Sequence, residues 1–396
     1  MFFPMKKAGI RAMRFEFATA GRVIFGAGTV KEAAKAARGW GRQALLVVGK
    51  SAERASSLVN DLTNQGVQVT IFQVHGEPTV ELVLEGVRAA RRNRCELVIG
   101  MGGGSALDAG KAIAALMTNP GEPFDYLEVV GKGLPLVSPP APTLAIPTTA
   151  GTGSEVTRNA VLALPEKRVK VSLRSAAMLP RLAIVDPELT TSLPPEVTAS
   201  TGLDALTQLI EPFLSNAANP LTDALCREGL RRAARSLSLA YHFGENLAAR
   251  EDLSLASLFG GMALANARLG AVHGFAGPLG GMFLAPHGAI CARLLPLVLE
   301  ANLAALQTRA PQPGTLQKFD ELAQMLTGKP NAQAKDGLLW LKELTETFQI
   351  PGLARYGLKK SDFPEVIAQA KKASSMQGNP VELTDRELAT ILDQAV

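Results

Sequence analysis

Apolar positions in the first half of the chain come in short runs, whereas in the second half they recur at helical intervals. Gln43–Val48 (QALLVV) is an almost unbroken apolar run of strand length, closed by Gly49. Such runs mark strands buried on both faces, as in a parallel sheet covered by helices. The same pattern predicts strands at 22–25, 67–73, 97–101 and 143–146, the last of these being the final strand predicted. Helices are expected between them at 30–37, 57–65 and 80–92, the last ending in arginines that suit its dipole. From residue 195 onward the periods predict helices at 198–213, 221–240, 253–267, 288–307, 319–326, 336–345, 362–374 and 385–395. The expected architecture is an α/β domain over 1–187 followed by an all-helical domain over 188–396.

A chain of 396 residues suits two such domains, and 47% hydrophobic content with 19% charge excludes disorder. Net charge is +5, yet no long Lys/Arg block occurs, which argues against a nucleic-acid partner. Cys95, Cys226 and Cys291 are isolated, so neither a disulfide framework nor a cysteine zinc knuckle is expected; a cytoplasmic location fits. Residues 1–17 are basic without a following apolar core, so no secretory signal is expected. The longest uncharged run, 269–292, holds six glycines, Pro278, Pro286, His273 and His287. That is no membrane helix but a buried segment with something to bind. The abundance of clustered glycine, 37 residues in all, points to backbone that approaches a ligand.

Two glycine clusters carry candidate chemistry. In LVIGMGGGSALDAGKAIA (97–114) a strand passes through Gly102, Gly103 and Gly104 into a helix, with Ser105 as an added hydroxyl donor. Glycine backbone and free N–H groups at a helix start form a natural seat for a pyrophosphate. It is not a Walker A loop, because Ser105 stands where the first glycine belongs and Ala112 where Ser or Thr belongs. The second cluster, PTTAGTGSEVT (147–157), sets Thr148, Thr149, Thr152 and Ser154 at the carboxyl edge of the sheet, where open α/β folds bind ligands. Of the four histidines, His75 and His242 read as structural or surface residues. His273 and His287 lie in the uncharged run, and Asp204 sits in an otherwise apolar helix with Gln208 one turn on. A buried carboxylate needs a cation, a metal or several donors. One carboxylate, two imidazoles and an amide oxygen could together hold zinc or ferrous iron.

Taken together, FGAGT (25–29), GEPT (76–79), GGGSALDAGK (102–111), DYLE (125–128), PTTAGTGSEVT (147–157), IVDPELT (184–190), GLDALTQLIEPF (202–213) and the 272–288 segment resemble the iron-containing (group III, iron-activated) alcohol dehydrogenase family, over about residues 15–392. The resemblance implies a dehydroquinate synthase-like architecture: an N-terminal dinucleotide-binding domain, a C-terminal metal-binding domain and an active site between them. It implies a metal, Fe2+ or Zn2+, on Asp204, His273 and His287. At the fourth ligand position, where the family has His, this chain has Gln208. Many relatives also carry a histidine, a suspected proton relay, where this chain has Gly277. Coenzyme contacts are implied at Gly102 to Ser105, Asp108, Thr148, Thr149, Thr152, Ser154, Lys170 and Leu189. After the strand at 43–48 the family often has Asp; here Gly49, Lys50 and Ser51 follow, which favours NADP(H) over NAD(H), since a carboxylate would repel a 2′-phosphate. The activity implied is hydride transfer between a small alcohol and its aldehyde or ketone, in a homodimer, with no nucleic acid and no membrane as partner. Phe275, Met282 and Phe283 are candidate walls of an apolar substrate pocket. The rival readings are a metal-independent maleylacetate-reductase-like or other carbonyl reductase of the same fold, a glycerol-dehydrogenase- or dehydroquinate-synthase-like enzyme, and a non-enzymatic nucleotide-binding protein.

Overall fold

The computed structural model describes residues 14–283 and 285–396; most of the basic stretch weighed as a targeting signal lies outside them. The α/β half runs β1 (Val23–Phe25), α1 (Ala33–Arg38), β2 (Gln43–Val48), α2 (Ser56–Asn64), β3 (Gln68–Gln73), α3 (Val80–Arg92), β4 (Leu97–Gly102), α4 (Gly104–Thr118), the single turn α5 (Pro123–Tyr126), β5 (Thr143–Pro147), β6 (Asn159–Leu164), β7 (Val169–Arg174) and β8 (Leu182–Val185). Among the described residues, six strands form one parallel sheet in the order β1-β8-β5-β4-β2-β3. Separate hydrophobic clusters cover its two faces, which is why its central strands read as unbroken apolar runs. The chain leaves β2 for β3 on one side and returns past it to β4. A crevice therefore opens at the carboxyl ends of β2 and β4, the switch point where such sheets bind ligands.

Three strands beyond the one expected last are present. β6 and β7 pair as an antiparallel hairpin outside the main sheet. VKVSLR of β7 alternates apolar and polar residues, so a period-2 signal was there to be read. β8 (LAIV) is an apolar run as long as those predicted at 22–25 and 143–146, so its signal was present as well.

The helical half comprises α6 (Pro195–Leu214), α7 (Pro220–His242), α8 (Leu247–Asn266), α9 (Ala271–Met282), α10 (His287–Thr308), α11 (Pro313–Thr327), α12 (Ala334–Thr347), α13 (Phe363–Lys372) and α14 (Asp385–Ala395) around one large core. α10 is apolar and long enough to cross a membrane, but 72% of its most apolar window is buried in the protein. It packs against α6, α9, α12 and α14, as a core helix does. α9 was not expected, because Pro278 and four glycines argue against a helix there. Its first turn is held from afar. The Glu211 carboxylate accepts the Val272 N–H at 2.7 Å, and the Asn379 amide oxygen accepts that of Ala271 at 3.1 Å.

Some of the clustered glycines leave room for close packing between the two halves. A Cβ on Gly153, at the start of the turn after PTTAGT, would fall 2.4 Å from the Gly261 Cα of α8. At Gly280 it would fall 2.9 Å from Lys170 Nζ, on the β6–β7 hairpin. These contacts draw the two halves together and fix the walls of the cleft.

Candidate active site

One wall of the cleft is the carboxyl edge of the sheet. Gly49 ends β2 beside the β4 turn; a Cβ on Gly102 would lie 3.3 Å from Gly49 N and 2.7 Å from the Ala106 Cβ. Gly104 is closed in by Thr152, 2.7 Å from where its Cβ would stand. Gly103, which caps α4, meets only the Thr149 side chain, at 3.4 Å, so its outer face is open. Thr148 N–H donates to Gly102 O at 2.9 Å and ties the two glycine clusters together. Asp108 and Ser154 stand behind the turn. Ser154 Oγ donates to Asp108 Oδ1 at 2.5 Å, and Val161 N–H donates to Oδ2 at 2.9 Å. The Thr152 hydroxyl accepts the Ser154 N–H at 3.3 Å. Lys50 and Ser51 are exposed past β2, with the Lys50 carbonyl accepting from Gln73. The Leu189 carbonyl accepts from Arg54, close to this end of the sheet.

The opposite wall comes from three helices. Asp204 lies mid-way along α6, His273 in the first turn of α9, and His287 opens α10. His273 Nε2 stands 3.5 Å from Asp204 Oδ1, and His287 Nε2 stands 3.7 Å from it. Gln208 is on the Asp204 face of α6 and is buried. Two residues not foreseen complete the cluster. Glu211 Oε2 pairs with His273 Nδ1 at 2.6 Å. Cys291, one turn after His287, places Sγ 3.8 Å from His273 Nε2 and 3.7 Å from His287 Nε2. Glu211 lies seven residues after Asp204 and Cys291 four after His287, so helical spacing was the signal that could have found both.

The cluster is tuned for positive charge. Burial pushes the Asp204 carboxyl up, but His287, His273 and the Gln208 amide outweigh this and hold it below the usual carboxylate range. Burial pulls the His273 imidazolium down, yet Cys291, Glu211 and Asp204 raise it well above the ordinary value. His287 is shifted the same way: burial lowers it, and Cys291 and Asp204 more than offset that. Two buried atoms, Asp204 Oδ1 and Gln208 Oε1, lack a hydrogen-bond partner. An orphaned carboxylate oxygen facing two imidazoles in a field that favours cations is the arrangement a divalent metal would satisfy, and the donor set fits one. The Glu211–His273 contact is the carboxylate–histidine pairing that holds the other ring nitrogen toward a metal.

Between the walls lies a cavity of about 430 Å³. Ser105 and Lys170 line it from the α/β side, Ala285 and Pro286, just ahead of His287, from the helical side. Lys170 Nζ pairs with Glu77 at 3.0 Å. Its apolar lining includes Leu164, Pro165 and Val169 of the hairpin. Phe275 and Met282, expected at a substrate pocket, are instead buried in the core of the helical half, and Phe283 is packed against that core. Gly277 has open space around it: a Cβ there would meet nothing within 4 Å.

Comparison with known proteins agrees along the whole chain. Residues 20–187 match the family model described as iron-containing alcohol dehydrogenase, and residues 198–396 match that of the C-terminal part of the Fe-containing alcohol dehydrogenase family. The chain is 37% identical to a 1,3-propanediol dehydrogenase of Klebsiella pneumoniae over 367 residues, 90% of this chain and 92% of the relative. It is 35% identical to alcohol dehydrogenase 4 of Saccharomyces cerevisiae, over 94% of this chain and 96% of the yeast protein. A crystal structure of 1,3-propanediol oxidoreductase superposes with a TM-score of 0.89 at 34% identity, covering 97% of this chain and all of that one.

Proposed function

Because this chain belongs to the iron-containing alcohol dehydrogenase family, we propose a division of labour across the cleft for its activity, the NAD(P)-dependent interconversion of small alcohols and their aldehydes at a metal-associated site. Gly102, Gly103, Gly104 and Ser105 receive the coenzyme pyrophosphate on the N-terminus of α4. Thr148, Thr149 and Lys170 face the nicotinamide half, and Gly49, Lys50, Ser51 and Leu189 the adenosine half. Asp108, Thr152 and Ser154, whose polar atoms bond within the protein, position that wall. NADP(H) is the preferred coenzyme, because Gly49 rather than a carboxylate directly follows β2, with Lys50 next to it.

Asp204, His273 and His287 hold the divalent metal, ferrous iron or zinc. Glu211 accepts the His273 Nδ1–H and leaves the Nε2 lone pair toward the cluster. A metal held there would supply Lewis acidity to the alcohol or carbonyl oxygen, and a nicotinamide coenzyme on the opposite wall would supply or take up the hydride. The chain's own part is to align these groups and narrow the access of water. The His287 side chain is 32% exposed, against 2% for Asp204, so the cluster opens on one side. At Gly277 the chain offers no proton-relaying side chain, which leaves proton exchange to solvent or a coenzyme hydroxyl.

One observation carries this reading: a single cavity is lined by Ser105, next to the open glycine turn, and by Pro286, next to His287 of the Asp204–His273–His287 cluster. The test is a panel of small alcohols and aldehydes with NADPH and NADH, before and after chelation. Turnover that falls on chelation and returns with zinc or ferrous iron supports it. Full turnover by rigorously metal-free protein would instead identify a metal-independent carbonyl reductase. Coenzyme binding without any turnover would leave a nucleotide-binding protein. A cytoplasmic homodimer is part of the same proposal, and sedimentation checks the assembly.

A further inference from the structure

We propose that Cys291 is the fourth metal ligand of this protein, its thiolate taking the position that Gln208 cannot fill well. The inference rests on the metal reading of Asp204, His273 and His287 given above. His287 and Cys291 are four residues apart at the start of α10, so they share a helix face. Cys291 is fully buried, and its sulfur lies against two ring nitrogens rather than against apolar neighbours alone. One ligand atom each from Asp204, His273, His287 and Cys291 can be chosen so that all four lie within 4.8 Å of one another. The separations are more telling than the clustering. Donor atoms 2.0–2.3 Å from one tetrahedral centre stand roughly 3.3–3.8 Å apart. The distances here are 3.5 and 3.7 Å from Asp204 Oδ1 to the two imidazoles and 3.7 and 3.8 Å from the sulfur to the same nitrogens.

A thiolate–imidazolium pair kept for nucleophilic chemistry would not need the remaining member. Asp204 is 2% exposed, and its Oδ1 faces the cluster without a hydrogen-bond partner. That orphaned oxygen marks a cation site rather than a bare Cys–His pair. Gln208 is buried one turn on from Asp204 on the same face of α6. Exchanging an imidazole ligand for a thiolate also changes the metal preferred. Sulfur is a soft donor, and an Asp-His-His-Cys set selects zinc over ferrous iron.

The probe is cobalt(II), added to full-length protein freed of metal and followed by absorption. We expect one equivalent to bind with an intense sulfur-to-cobalt charge-transfer band, and zinc to displace it. Cys291→Ser should lose the band and bind cobalt at least about tenfold more weakly, on the scale of a lost metal interaction. Gln208→Ala should keep the band. Because the wild-type spectrum alone decides whether sulfur is bound, a Cys291→Ser protein that fails to fold does not blunt the test. One equivalent of cobalt without the band overturns the cysteine ligand and leaves the metal reading standing. No cobalt binding at all overturns both.

Discussion

The two walls of the cleft are built in opposite ways. The nucleotide wall is made of contiguous backbone: a strand, three glycines and a helix start, all within 97–114. The metal wall is made of side chains from α6, α9 and α10, brought together only by packing. The first arrangement tolerates change in its side chains but not in its backbone space. The second depends on a few side-chain atoms and on the partners that aim them.

The largest effect should follow from removing a ligand. Asp204→Asn or His273→Ala should abolish metal retention and turnover together, as plasma emission and rate measurements would read. Coenzyme binding should survive, since the glycine turn lies on the other wall. A metal-free variant with full activity would collapse the division between the walls.

A smaller loss is expected one step back from the metal. Glu211→Gln keeps an oxygen for the Val272 N–H but loses the charge that holds His273. Metal affinity should fall about 10–100-fold, the usual cost of losing such a partner. Competition with a chelator measures it. An unchanged affinity would show that His273 is oriented by the helix alone.

This contrast also explains what the sequence made legible. The parallel sheet was readable because its strands are short apolar runs, and β2 and α3 fall where their patterns placed them. The glycine turn was readable because its parts are adjacent. α9 was not, since its propensity is poor and its first turn is capped by Glu211 and Asn379 from distant positions. The role expected of clustered glycine was too narrow: the open face at Gly103 leaves room for the proposed coenzyme phosphates, while Gly153 serves the packing of one half on the other. Asp204, His273 and His287 could be selected as buried polar residues, whereas Glu211 and the isolated Cys291 did not stand out as members of the same cluster. Their spacing, seven residues after Asp204 and four after His287, puts each on the helix face of a candidate ligand, but the meeting of the three helices is what gives that face its meaning.

On the nucleotide wall the matching test alters backbone space. A Cβ at Gly103 fits against Thr149, so Gly103→Val should fold, but its methyl groups occupy the open face. The coenzyme dissociation constant should rise at least about tenfold, or ~1.4 kcal/mol. Metal content should stay as in the wild type. Unchanged coenzyme binding, with a normal circular dichroism spectrum, would place the phosphates elsewhere.

The smallest effect is expected at the far end of that wall, and solvent sets its size. Gly49 follows β2 with nothing within 4 Å of where a Cβ would stand, and Lys50 and Ser51 are exposed. An aspartate at 49 therefore fits without disturbing the fold. It would accept hydrogen bonds from the ribose hydroxyls of NADH and repel the 2′-phosphate of NADPH. In a buried site such a change would be large, but charges this exposed are screened and interact by about 0.2–1 kcal/mol. Fluorescence titration should show the wild type binding NADPH more tightly than NADH, and Gly49→Asp should move the ratio toward NADH by about 1 kcal/mol at most. The shift should shrink as salt is added, because the repulsion that drives it is a surface one. A wild type that prefers NADH would show that the missing carboxylate and the neighbouring lysine do not set coenzyme choice. A shift that is large and insensitive to salt would mean that the coenzyme itself closes this end of the cleft and shuts the solvent out.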